Sequence, residues 1–217
     1  MTQAERSAIE AILAPLDFPT IVELGAYTGE DSAAFRALCR KGDFMHVMVE
    51  PDPRNAQKIL DCADPPIGKN RRLIVGAVAE TEGFRKFHFS EGAGATGSGS
   101  LLRPTGHLRE FPTIKFDDAG MVPCYSLDEI FKREWLSKID LLWVDIQGAE
   151  KEMIAGGRKA LQMTRTCFIE AESIELYEGQ ALKPELVSMF GEAWKVTADF
   201  GFNVLLRNMD FVPPWGN

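Results

Sequence analysis

Short apolar runs alternate with amphipathic stretches along most of the chain, and the change of period between them predicts the elements. Ile9, Ile12, Leu13 and Leu16 recur at helical intervals behind Thr2 and Glu5, which stand at capping-box spacing. With Pro15 helping to end the segment, this predicts a leading helix within residues 1–16. Residues 20–24 read as a strand, 31–40 as a helix closed by Gly42, 46–50 as a second strand and 53–62 as a second helix. Residues 72–78 read as a third strand, and 83–90, GFRKFHFS, alternate like an added one.

Residues 90–100, SEGAGATGSGS, are too polar and too rich in glycine to form core structure, so 90–107 is expected to be a loop able to act as a lid. Ser126 and Glu129 repeat the capping-box spacing at the head of SLDEIFKREWL. Residues 139–146, IDLLWVDI, form a nearly continuous apolar run, as expected of a strand buried on both faces. Residues 148–163 are expected to be helical, 166–172 a strand and 184–200 largely helical. Two last strands, 202–207 and 210–212, are expected to meet at a turn around Asn208 and Met209. Strands alternating with helices and ending in a hairpin predict an α/β fold: a doubly wound, mostly parallel sheet with one antiparallel strand near an edge.

Composition narrows the setting. At 217 residues without a dividing linker, the chain is expected to form a single domain over 1–217. Hydrophobic residues at 45% and charged residues at 26% are ordinary for a folded globular protein. Lys plus Arg is 24 against 32 for Asp plus Glu, a formal charge of −8 without a basic run, which argues against nucleic acid as partner. Cys39, Cys62, Cys124 and Cys167 lack C-x-x-C spacing and read as reduced, buried thiols, pointing to a cytoplasmic setting. The opening MTQAERSAIEAILAPL does not read as a signal peptide, and no apolar run is long enough to span a bilayer.

In doubly wound sheets ligands bind beyond the carboxyl ends of the strands. Glu23, Gly25 and Gly29 follow the first strand; Glu50, Pro51 and Asp52 end the second; Gly76, Ala77 and Val78 end the third; Asp145 ends the fourth. Glu50 stands 21 residues after Gly29, where an acid can accept hydrogen bonds from a ribose diol. The turn reads E-x-G-x-x-x-G rather than G-x-G-x-x-G. An acid ahead of the first glycine repels a pyrophosphate and suits a cationic ligand, which favours S-adenosylmethionine over NAD and leaves an NAD-dependent oxidoreductase as a lesser alternative.

The segments VELGAYTGE, VEPDPRNAQKI, YSLDEIF and VDIQGAEKEMIAGG, in this order and spacing, resemble the FkbM-type methyltransferase family from about residue 21 to the final strands. The resemblance implies the class I methyltransferase fold, Rossmann-like, with S-adenosylmethionine as donor. It also implies, most often, O-methylation of a hydroxyl on a small molecule such as a sugar or natural product. Carried over by position, Glu23, Gly25 and Tyr27, with Ala26 and Gly29, line the methionine side; Glu50 meets the ribose; Pro51 and Asp52 meet the adenine edge, with Ala77 and Val78 at the next strand end. Asp145 falls near the donor's amino group or the reacting centre. Two positions depart from the family pattern. Trp143 replaces the usual lysine and Gln147 the usual acid, so the acceptor pocket is expected to be less charged, since Trp143 and Asp145 share a strand face.

A hydroxyl acceptor must lose a proton, which calls for a base or a metal. His46, at the start of a strand, reads as structural and His88 as surface or core; His107, after the glycine-rich stretch, is the candidate base beside Asp145 as candidate catalytic group. No metal is expected, although Asp145 and Glu172 end neighbouring strands with oxygen ligands of the kind that suit magnesium. A homologue that binds the nucleoside without catalysis is the competing reading.

Overall fold

A computed structural model describes residues 1–39, 42–62, 67–91 and 96–214, the side chains of 118 and 119 excepted. The chain opens with α1 (Gln3–Leu13), β1 (Thr20–Leu24), α2 (Glu30–Leu38), β2 (Met45–Glu50), α3 (Pro53–Cys62) and β3 (Arg71–Val75). It continues through β4 (Ala77–Val78), β5 (Gly83–Glu91), the single turn α4 (His107–Glu110), β6 (Lys115–Tyr125), α5 (Leu127–Arg133) and β7 (Leu141–Val144). It closes with α6 (Glu150–Ala155), α7 (Arg158–Gln162), β8 (Thr166–Glu170), α8 (Lys183–Met189), β9 (Trp194–Asp199) and β10 (Asn203–Asn208).

The main sheet has seven strands in the order β3-β2-β1-β7-β8-β10-β9. Strands β3, β2, β1, β7 and β8 pair in parallel, and β10 runs antiparallel to both of its neighbours. The order reverses between β1 and β7, and that switch point opens a crevice at the strand ends. Side-chain alternation divides the core between the two faces of the sheet. Ile21, Leu141 and Trp143 pack on one face with Ile9 and Leu13 of α1 and Phe35 and Leu38 of α2. Val22, Leu24, Val47 and Val49 pack on the other with Leu127 of α5, Met153 of α6, Leu161 of α7 and Leu186 of α8. The fold is thus the doubly wound α/β sheet with one reversed strand that the pattern predicts. At α1 the capping box forms, with the Thr2 amide donating to Glu5 Oε2 at 2.6 Å and the Glu5 amide donating to Thr2 Oγ1 at 3.3 Å.

Several expected elements differ in the structure. The run 72–78 breaks at Gly76, after which β4 leaves the main sheet to join a second one, ordered β4-β6-β5. A Cβ on Gly76 would lie 2.7 Å from Pro123 O and from Tyr125 Cε2, so the crossing of the two sheets requires glycine. Strand β6 is absent from the pattern-based reading and supplies the partner that β5 lacked. The helix expected over 148–163 is divided at Gly156 and Gly157 into α6 and α7. The helix expected over 184–200 ends at Met189; Gly191 at φ +83° turns the chain, and 194–199 form β9. The terminal hairpin is therefore β9–β10 rather than 202–207 with 210–212. Residue 40 of the expected second helix lies outside the described residues, as do 92–95 of the candidate lid. Cys39, Cys124 and Cys167 are buried and free, whereas Cys62 is exposed. No helix of the described residues is long and apolar enough to cross a membrane.

Candidate active site

A cavity of about 240 Å³ opens beyond the carboxyl ends of β1, β2 and β7, where β4 and β5 of the second sheet close over it. Its lining includes Glu23, Gly25, Ala26, Tyr27, Glu50, Pro51, Asp52, Ala77, Val78 and Asp145, all expected there from the sequence. Gly29 is not among the described lining residues. It is the left-handed N-cap of α2 at φ +82°, donating to Ala26 O, and it shapes the turn from behind.

The turn after β1 is held by both neighbours. The Gly25 amide donates to Val49 O at 2.9 Å, and a Cβ on Gly25, at φ +81°, would lie 1.7 Å from Asp145 O. Only glycine lets the β1 turn and the β7 end approach this closely. Tyr27, at φ +50°, donates its amide to Glu50 Oε2 at 2.8 Å, while the Asp52 amide donates to Glu50 Oε1 at 2.9 Å. Burial still pushes Glu50 up to about 7, against these donors. Asp52 accepts from the Arg54 amide and guanidinium, so its charge is neutralised locally. Asn55, buried on α3, donates to Thr96 O at 3.0 Å and accepts from Thr96 Oγ1 at 2.6 Å, fastening the glycine-rich stretch to the cavity wall at Thr96. Phe87, Leu101, Ala77 and Ala149 make the opposite wall apolar.

Glu23 is buried, and its Oε2 accepts from Ser32 Oγ at 2.9 Å and from His46 Nε2 at 2.8 Å. His46 therefore reaches a cavity-lining carboxylate from the start of β2, a contact that its place at the far end of the strand conceals. Asp31, at the first turn of α2, also lines the cavity; burial, with Glu23, Asp145 and Glu30 nearby, pushes it up to about 6.

At the β7 end, Gln147 Nε2 donates to Asp145 Oδ1 at 2.6 Å and to Glu170 Oε2 at 2.9 Å. Tyr177 Oη lies 2.8 Å from Gln147 Oε1 and 2.9 Å from Ser98 O, linking this amide to the glycine-rich stretch at Ser98. Burial raises the carboxyl of Asp145, and burial together with Asp145, Glu150 and Glu172 raises that of Glu170 well above the usual range. Glu150 accepts from the Gly148 amide and is pushed up to about 7, first by burial. Glu150, Glu170 and Glu172 line a small recess beside the cavity, sharing Gln147 with it.

Three expectations change. Trp143 stacks on Phe168 at 4.1 Å within the core, so it does not bear on the charge of the pocket, which is strongly acidic. His107 is buried against Phe111, Phe116 and Tyr177 and is not among the described lining residues; burial holds its imidazole below the usual histidine value. It touches Tyr177, which in turn meets Gln147 of the cavity lining, and this indirect link does not fit a base acting on an acceptor. Asp145 is linked through Gln147 to Glu170 rather than Glu172, and among the described residues no group of three or more His, Cys, Asp or Glu side chains is arranged to hold a metal ion.

Residues 23–204 match the methyltransferase FkbM domain family. The chain is 34% identical over 198 residues to the 2-O-methyltransferase NoeI of Sinorhizobium fredii (strain NBRC 101917 / NGR234), covering 88% of this chain and 79% of that protein. Among solved structures it is similar in fold to methyltransferase FkbM from Methylobacillus flagellatus KT, with a TM-score of 0.56 at 16% identity, over 88% of this chain and 44% of that one. A further likeness, to precorrin-6y C5,15-methyltransferase from Geobacter metallireducens GS-15, has a TM-score of 0.49 at 14% identity over 95% of this chain and 87% of that one.

Proposed function

The chain belongs to the FkbM methyltransferase family, and from that premise we propose that this S-adenosylmethionine-dependent methyltransferase acts on a hydroxyl of a small molecule, a sugar or a natural product. The observation that carries the proposal is the cavity at the switch point: a glycine turn, a buried acid on each of β1 and β2, and an apolar wall opposite. This donor set fits the cofactor. Glu50, with both oxygens oriented by backbone amides, is placed to accept from a ribose diol. Glu23 and Asp31 supply negative charge for an ammonium and a sulfonium, and Ala77, Val78, Phe87 and Leu101 offer an apolar surface for a purine. When bound, S-adenosylmethionine supplies an electrophilic methyl group.

The name of the relative NoeI supports oxygen as the acceptor atom. In this reading Asp145 takes the hydroxyl proton. Asp145 is open to the cavity, and the protein packed around it raises its carboxyl, so its ionised form is a stronger base than an ordinary aspartate, while Gln147 fixes its orientation through Oδ1. Glu170, raised further, carries a proton when Asp145 does not, which keeps the two from repelling each other. Orientation within a cavity shielded from water supplies much of the remaining acceleration.

The test is transfer from methyl-labelled S-adenosylmethionine to a panel of hydroxylated sugars and polyketides, with the labelled atom located by NMR. A methyl ether in any product supports the proposal. Label found only on nitrogen or carbon contradicts it, and donor binding without transfer across the panel and its extensions favours a non-catalytic homologue.

A further inference from the structure

The donor reading gives Glu23 the task of meeting the cationic amino-acid end of the nucleoside, and the inference concerns what holds Glu23 ready; it rests on that reading. The Glu23 side chain is only 2% exposed. A carboxylate so buried is unfavourable unless donors reach it. The two donors described, Ser32 Oγ and His46 Nε2, both go to Oε2. One oxygen is thereby fixed from behind, and the other belongs to a group that lines the cavity.

Among the described residues the imidazole of His46 has no other hydrogen-bond partner. It is wholly buried, with Phe35 edge-on at 5.8 Å and Phe44 at 5.7 Å, and its Nδ1 has no hydrogen-bond partner among the described residues. This distinguishes the two tautomers: with the proton on Nε2 the ring donates to Glu23 and leaves a bare lone pair in the aromatic cage, whereas the Nδ1 tautomer would leave a buried N–H without an acceptor, the more costly arrangement. An imidazole orients Glu23 through one directed hydrogen bond, whereas the flexible cation of a lysine there would compete with the ligand's own cation for the carboxylate. If the site needed only filling, a leucine would fit the apolar cage without burying two nitrogens.

We propose that His46, assisted by Ser32, is a positioning residue for donor recognition: it holds Glu23 in one orientation toward the ammonium of the bound nucleoside. The test compares S-adenosylhomocysteine with 5′-methylthioadenosine, which keeps the adenosine and the sulfur but lacks the amino-acid end. Calorimetry on the wild type, His46→Leu and His46→Gln should show His46→Leu weakening S-adenosylhomocysteine about tenfold, as for loss of a charge-assisted hydrogen bond, with methylthioadenosine changed less than twofold. His46→Gln, which keeps an N–H donor, should recover part of the loss. Unchanged methylthioadenosine binding also reports that the variant is folded. Equal weakening of both nucleosides by His46→Leu, or of neither, would overturn the proposal. A wild type that binds neither would overturn the donor reading, and this proposal with it.

Discussion

The two ends of the cavity treat their carboxylates differently. At the β1–β2 end each acid has donors of its own: Ser32 and His46 for Glu23, two backbone amides for Glu50, and Arg54 for Asp52. At the β7–β8 end a single side-chain amide, that of Gln147, serves both Asp145 and Glu170, with Glu150 and Glu172 close by and every one of these carboxyls raised. Acids with dedicated donors hold one geometry, which suits binding. Acids crowded around one donor exchange protons readily, which suits a reaction that must remove one. In the proposed function the donor nucleoside takes one end and proton transfer the other.

The largest expected effect comes where the two ends touch. Gly25→Ala would force a Cβ to within 1.7 Å of Asp145 O at a φ that L side chains rarely adopt. S-adenosylhomocysteine binding should fall below detection by calorimetry, with a lowered melting temperature. A variant that binds normally would show that the β1 turn and the β7 end need not meet.

Next in size is Asp145→Asn. It should lower turnover by about 10²–10⁴-fold while S-adenosylhomocysteine affinity changes by no more than a few-fold, because the asparagine cannot take a proton. If affinity falls as far as turnover, Asp145 belongs to the binding end and the division fails.

A smaller effect should appear in stability. Glu150 is held at about 7 against an ordinary 4.5, so the folded state binds its proton more tightly than the unfolded chain does. Its contribution to stability is therefore fully present below about 4.5, is lost as pH rises toward about 7, and stays lost above that. Glu150→Gln should accordingly raise the melting temperature by a few degrees at pH 8 relative to the wild type and leave it nearly unchanged at pH 5. A gain of equal size at both pH values would mean that burial does not strain this carboxyl.

The binding end was the more legible in the sequence, and the reason is local. Glu23, Gly25, Glu50, Pro51 and Asp52 sit at strand ends that apolar runs mark clearly, and the doubly wound rule converts strand ends into a site. The reacting end is assembled from afar. Glu170 meets Asp145 only because β8 pairs beside β7, and Tyr177 joins them from a loop, so neither periodicity nor a motif signals the cluster. Gln147 was visible as a departure from the family pattern, but its role as the shared donor was not. His107 drew attention by its place after a glycine-rich stretch; its burial among Phe111, Phe116 and Tyr177 follows from tertiary packing that local sequence does not encode. The same limit explains β9: WKVTAD follows a helix without a proline and becomes a strand because β10 is available to pair with it.

In the proposed function a nucleoside donor is held at the β1–β2 end through Glu50. The direct test is calorimetric titration of S-adenosylhomocysteine into the wild type and into Glu50→Ala, with NAD as control. Saturable binding by the wild type, no response to NAD, and an affinity at least about tenfold weaker in the variant are the predicted results, the loss matching a charge-assisted hydrogen bond. Saturable NAD binding without a response to S-adenosylhomocysteine, or an unchanged dissociation constant in Glu50→Ala, would contradict it.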